Sequence, residues 1–419
     1  MFEVVISLFL RFSGAIAKLI LMLYLAKFSD PETLGQFGII VAIIAIASQV
    51  VGLDVHYFNS RIISSEEKKL VSKTITSQLF LHLLTYIVLI PILVILFLFD
   101  FIELKSLMYL FFLIIFEHLS IEASRFLQFI LRPNLGAVVL FIRNTLFVII
   151  FIVVSFLNQT YLSIDFLMQS WLFSIVIAFA FGIYFIKDYI FIDDSRIFMH
   201  KSYYYELIKK SFPFLVASIF FLLTQYLDRL ILNVFEGGYL VGILFFFASI
   251  ASALHLFVTY TVGVFHGPIA IKKFRNEGLD GYASEKSLMI KKSIIATLVA
   301  LLLCIILINP LLALINQDYT PYLNVFYIFL VVQVFAVVSD FFQLDLYVRN
   351  MDKEIMYSSL AGGVSTFILQ IILVKLFSIY GAAFATLLGV MLLTIFRYIF
   401  YKRALKRDPD LLFKINKAS

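Results

Sequence analysis

The chain has 419 residues, of which 62% are hydrophobic and only 14% charged, and its mean hydropathy is +1.02. Soluble domains carry about 25% charged residues, so this sequence has too few polar groups to cover a water-facing surface. Soluble, disordered and disulfide-scaffold classes are excluded, which leaves a polytopic membrane protein. The lone Cys304 permits no intrachain disulfide and no cysteine metal site. The six histidines are scattered without ligand spacing, so no metal or cofactor is expected.

A helix needs about 20 mainly apolar residues to cross a hydrocarbon core of about 30 Å. Twelve stretches meet that condition, near residues 5–26, 34–53, 77–99, 107–130, 137–157, 165–186, 212–233, 240–264, 293–315, 322–346, 357–376 and 380–400. The expected fold is an all-α integral membrane protein of about 12 transmembrane helices in two six-helix bundles. The first stretch has no basic n-region and no small-residue cleavage site, and Arg11 interrupts it. It is read as an uncleaved span. Trp171, at the outer end of span six, is placed at the membrane interface.

Lys and Arg resist translocation, so the side rich in them is cytoplasmic. Arg61, Lys68, Lys69 and Lys73 follow span two, and Arg132 and Arg143 follow span four. Lys187, Arg196, Lys201, Lys209 and Lys210 follow span six. After span eight come Lys272, Lys273, Arg275, Lys286, Lys291 and Lys292, and after span ten Arg349 and Lys353. The outer connections hold Lys27, Lys105 and Lys375. Both termini are therefore expected in the cytoplasm. The net charge of +6 reflects topology, with membrane lipid headgroups rather than nucleic acid as its partner.

The longest inner loop divides the spans six and six. The expected domains are a lobe over 1–186, a linker over 187–211, a second lobe over 212–400 and a basic tail over 401–419. The end of the linker is expected to lie on the membrane surface as an amphipathic helix. Lys73 precedes Pro91 by 18 residues, and Lys292 precedes Pro310 by the same 18. Gly35, at the start of span two, matches Gly242 at the start of span eight; on that register Lys18 pairs with Gln225 and Arg11 with Ser218. An even number of spans per repeat makes the repeats parallel, as in transporters built around an axis along the membrane normal. Gly381, Ala385 and Gly389, like Ala248 and Ser252, read as helix-packing ridges.

A charge at the bilayer centre costs about 2.5–3.5 kcal/mol on insertion scales, so it faces a cavity or a partner. Arg11 and Lys18 are seven apart and share a face of span one; two stacked cations there suit an anion such as pyrophosphate. His118, Glu122 and Arg125 form one stripe on span four with Glu117 beside it, either as a structural pair or as a site. Ser218, Gln225 and Arg229 share a face of span seven. Asp228 lies about 100° round from Arg229, so the two are not expected to satisfy each other. Asp340 has no basic residue one turn away and needs a partner from another helix. Burial disfavours an ionised carboxyl, which makes Asp340, Glu122, Glu117 and Asp228 candidate proton or cation sites. Arg143 and Arg397 are expected to snorkel to the interface, and His82 and His255 read as packing residues. No catalytic motif is present.

The run from Leu25 to Gly38, with Asp30-Pro31-Glu32 and then Gly35, resembles the first outer loop of Wzx-type polysaccharide-unit (O-antigen) flippases of the MATE-like exporter superfamily. Asp30 stands where the family usually has Gly, and Leu34 where a Tyr is frequent. Gly52-Leu53-Asp54, Asp228-Arg229-Leu230-Ile231-Leu232 and Gly381-Ala382-Ala383-Phe384-Ala385-Thr386 continue the likeness in order along the chain. The resemblance implies that an undecaprenyl-pyrophosphate-linked oligosaccharide is carried from the inner to the outer leaflet of a bacterial inner membrane, alongside other polysaccharide-assembly proteins. It implies Arg11 and Arg229 as pyrophosphate contacts; Lys18, Arg125 and Gln225 come from the helix-face argument alone. Two other readings stay open: a multidrug or small-cation antiporter on the same fold, which Arg11 and Lys18 disfavour by repelling cationic cargo, and a membrane glycosyltransferase or polymerase, which lacks the large outer loop it would need.

Overall fold

The computed structural model describes residues 2–63, 68–98, 104–130, 132–190, 201–315 and 319–407. The described segments are helical, joined by short turns. In chain order they are α1 Phe2–Phe28, α2 Pro31–Gly52, α3 His56–Ile63, α4 Lys68–Leu98 and α5 Leu104–Phe129. Next come α6 Pro133–Phe141 and α7 Phe147–Leu157, joined through a π turn at Ile142–Leu146, and α8 Ile164–Ile186. The remainder comprises α9 Lys201–Glu236, α10 Gly238–Val258, α11 Val264–Leu314, α12 Leu323–Val348 and α13 Asp352–Arg407. Nine helical runs among the described residues are long and apolar enough to cross a membrane. Two of them, Gly238–Leu314 and Asp352–Arg403, each hold two of the expected spans, and α1 supplies the remaining one.

Local chemistry sets the helix ends. The Asp30 carboxylate accepts the Thr33 amide at 2.7 Å, and Pro31, which has no N–H to lose, opens α2. Ser163 caps α8 by accepting the Phe166 amide. The chain breaks helical geometry at Gly278 in α11 and at Ser378 (φ 53°) in α13, so each long run is two helices. Pro91 in α4 and Pro310 in α11 both lie within helix. Ile294, Leu298, Leu302 and Ile305 form an exposed apolar row on α11, the surface that hydrocarbon rather than water favours.

The chain forms two compact units, Met1–Tyr24 with Ile40–Leu215, and Leu25–Ile39 with Val216–Ser419. In the first, Phe126 and Leu127 of α5, Val139 of α6 and Ala178 and Ile186 of α8 make a buried core, and the Ser124 hydroxyl donates to the Gly136 carbonyl across the short turn. In the second, Phe247 of α10 meets Tyr319 edge to face and Phe326 of α12 at a tilt.

Two expectations are corrected. Trp171 is buried and stacked on Phe147 at 5.5 Å: its ring fills the first unit's interior instead of sitting at the interface. The end of the inner loop is not a separate surface helix, because α9 runs from Lys201 through Pro213 to Glu236. Its residue Leu207 is buried against Val55 and Leu81, and this apolar contact ties the first turns of α9 to the lobe. Asp193 and Asp194 lie outside the described residues.

Candidate functional site

Of the cation face expected on α1, the described side chains include Lys18. Lys18 is exposed and makes no hydrogen bond or ion pair among the described residues; Arg143 and Glu117 are its electrostatic neighbours. Phe9, Ile16 and Ile20 are also exposed. At about 100° per residue they lie about 160–200° round the helix from Lys18. Helix α1 is therefore open on two opposite faces, one apolar and one cationic. The apolar face borders a groove of about 420 Å³ shared with Val148, Ile149 and Val153 of α7. The Arg11 side chain lies outside the described part of the structure; its backbone falls on the Lys18 face.

Buried ion pairs occupy the first unit. Arg143, carried on the π turn, bonds Glu117. That corrects the snorkelling expected of Arg143: the extra residue of the turn aims the side chain inward, and the Glu117 carboxylate offsets its burial. Glu122 is buried and accepts from Arg125 at 2.5 Å and from Gln78 at 2.6 Å. Arg125 remains about one third exposed, at 31%. The stripe His118, Glu122 and Arg125 thus exists as expected, and α4 completes it.

In the second unit, Asp228 and Arg229 are both buried. Asp228 accepts the Arg229 amide at 2.8 Å, and its carboxylate stands 4.0 Å from the Arg229 Nε. The guanidinium lies over the rings of Phe245 and Tyr226 at 4.5 and 5.1 Å, a cation–π arrangement. Gln225 is half-buried. Asp340 finds its partner on another helix: His255 Nε2 is 2.7 Å from its carboxylate. His255 is consequently the hydrogen-bond partner of Asp340 rather than a packing residue. Arg397 does not snorkel either. It is buried, donates to the Ser339 hydroxyl at 2.7 Å and carbonyl at 3.2 Å, and lies near Phe221. Its side chain points into the lobe, where those acceptors and the ring stand in for water.

Sequence reasoning missed the α4 contribution. Gln78, His82 and Tyr86 recur every four residues on an apolar span, one face of a helix, and they meet His118 and Glu122 in three dimensions. That spacing was the available signal. Beyond it, Asn59 of α3 donates to Gln78, and Tyr203 of α9 donates to Asn59, both at 2.7 Å. His82 is buried without a good hydrogen bond, so it is not the satisfied packing residue expected.

With this geometry in place, a family profile described as polysaccharide biosynthesis protein matches residues 3–266. The chain belongs to the polysaccharide biosynthesis protein family. The resemblance read from the sequence holds. No individual curated protein matches the chain. Among solved structures, an inward-facing multidrug resistance MATE family transporter of the MOP superfamily matches with TM-score 0.73 at 12% identity, covering 96% of this chain and 98% of that one. An outward-facing MATE transporter matches at 0.67 and 14%, covering 97% and 96%. The lipid II flippase MurJ, in an inward closed conformation, matches at 0.67 and 14%, covering 96% and 87%. At these identities the likeness is one of fold. This family member is a multi-pass membrane protein with a MATE-like transporter fold.

Proposed function

We propose that this protein is a flippase that moves an undecaprenyl-pyrophosphate-linked oligosaccharide, of O-antigen or another surface polysaccharide, from the inner to the outer leaflet of the bacterial cytoplasmic membrane. The observation that carries the reading is the exposed Lys18 on the face of α1 opposite its lipid-suited residues. A cation so placed attracts an anionic headgroup and is not solvated by hydrocarbon. Arg11 shares that face, and Arg125, Arg229 and Gln225 complete the proposed polar contacts. Alternating access of the two repeats supplies the polar passage, while the polyprenyl tail stays in the bilayer. Membership of a polysaccharide biosynthesis family and a fold shared with a protein named for flipping lipid II support this choice. Asp340, Glu122, Glu117 and Asp228 are the proposed coupling carboxylates. The protein acts as a transporter without catalysis, with both termini in the cytoplasm and other polysaccharide-assembly proteins as its neighbours.

The MATE likeness favours a second reading, a small-cation antiporter, against which the unpaired Lys18 stands. Reconstitution in vesicles with a fluorescent lipid-linked oligosaccharide separates the two. Lys18→Ala should slow flipping at least about tenfold, equivalent to about 1.4 kcal/mol of lost interaction, and Lys18→Arg should keep most of the rate. Full flipping by Lys18→Ala would remove the cation face from the mechanism.

A further inference from the structure

The first unit encloses two imidazoles. His82 of α4 and His118 of α5 meet edge to face with ring centroids 4.4 Å apart, both buried. The Tyr86 hydroxyl bonds His118 Nδ1 at 2.9 Å. His118 Nε2 and both ring nitrogens of His82 have no hydrogen-bond partner among the described residues, apart from an imperfect contact of His82 with the Gly52 carbonyl. Buried unpaired polar atoms are costly, and three in one place indicate a ligand or a proton.

The charge around them is arranged for a proton. Glu122 Oε1 accepts from Arg125 at 2.5 Å and lies 4.0 Å from His118 Nε2, while Oε2 accepts from Gln78. One carboxylate oxygen thus faces a cation that reaches solvent and an imidazole that does not. The other titratable or charged groups facing the pair are Tyr86 from α4 and His56 from α3, itself 3.7 Å from Asp54. Tyr203 of α9 joins through Asn59 and Gln78.

We propose that His82 and His118 together bind one proton, with Glu122 as its counter-charge, and that loading this proton displaces Arg125 from Glu122. Two imidazolium ions this close would repel strongly in a low-dielectric interior, so the pair takes one proton. The imidazolium then competes with Arg125 for the shared oxygen, and Arg125 moves to solvent. A built-in reader adjoins the pair: a Cβ on Gly52 would sit 2.8 Å from His118 Nε2, and Leu53 and Asp54 hold left-handed φ values of 50° and 51°. Any shift of the His118 ring is felt in that strained turn between α2 and α3. The use of the site in transport rests on the flippase reading; the proton site does not.

Nitrogen-15 histidine spectra of the full chain in lipid nanodiscs test it. The expected result is one coupled titration of His82 and His118 within about pH 5–8, an upward move of the remaining His118 titration in His82→Gln, where the competing positive charge is gone, and an upward move of at least about one pH unit in Arg125→Gln. The last variant leaves both rings in place and guards against misfolding of the first. Two rings that stay neutral down to pH 5 in both the natural protein and Arg125→Gln would overturn the site. A titration indifferent to Arg125→Gln would overturn the shared counter-charge. Flipping is measured on the same protein: normal titration without flipping would sink the flippase reading and leave the proton site standing.

Discussion

Gly35 of α2 and Gly242 of α10 pack backbone against backbone within the second unit. A Cβ on Gly242 would lie 1.7 Å from the Pro31 carbonyl oxygen, and one on Gly35 would lie 2.1 Å from the Gly238 carbonyl oxygen and 2.9 Å from the Gly242 nitrogen. Backbone atoms cannot swing aside as side chains do. Gly242→Ala should therefore destabilise by at least the ~1–3 kcal/mol of ordinary overpacking, read as a lower thermal midpoint in detergent. Gly267→Ala, with open space around it, should leave the midpoint unchanged or raise it. Equal midpoints for the two variants would mean that this helix crossing is looser than described.

In the Glu117–Arg143 pair the carboxylate is buried and the guanidinium largely so, at 14% exposure. Glu117→Gln leaves the guanidinium without its counter-charge and should cost about 3–5 kcal/mol, whereas the double variant Glu117→Gln with Arg143→Met should recover much of that loss. Thermal unfolding of the three proteins checks it. A double variant as unstable as the single one would show that the pair itself is not the source.

Within α11, Glu285 accepts from Lys273 at 2.8 Å and lies 2.6 Å from His266 Nδ1. The Lys273 hydrogen bond, then the His266 one, holds its carboxyl below the ordinary value. A lowered folded-state value means that the contact stabilises the fold above the ordinary glutamate range, about pH 4.3, and fades as pH falls below it. Hydrogen exchange across residues 279–292, corrected for the intrinsic pH dependence of amide exchange, should rise on acidification from pH 6 to 3 in the natural protein. Glu285→Gln should already be raised at pH 6 and change less.

Orientation is checked by cysteine labelling in a Cys304→Ser background. Ser29 and Glu236, at the turns after α1 and α9, should react with an impermeant reagent from outside the cell, and a cysteine at Lys272 should not. Protection of both outer sites would reverse the topology.

The apolar spans were legible in the chain because they are set by local composition. The stripe His118, Glu122 and Arg125 was legible too: residues three and four apart must share a helix face. The partners were not. Arg143 and Arg397 stand near span ends in sequence, which suggests snorkelling; only the π turn and the acceptors Glu117 and Ser339 turn them inward. Asp340 announced its need for a partner, but the choice of His255, 85 residues away, depends on how α10 packs on α12. Sequence alone determined that the chain crosses the membrane, since hydrophobic transfer acts residue by residue. Tertiary structure decided which charges are neutralised, as Arg143 is by Glu117, and which, like Lys18, form no ion pair among the described residues, because a counter-charge is a matter of distance between helices that sequence spacing does not set.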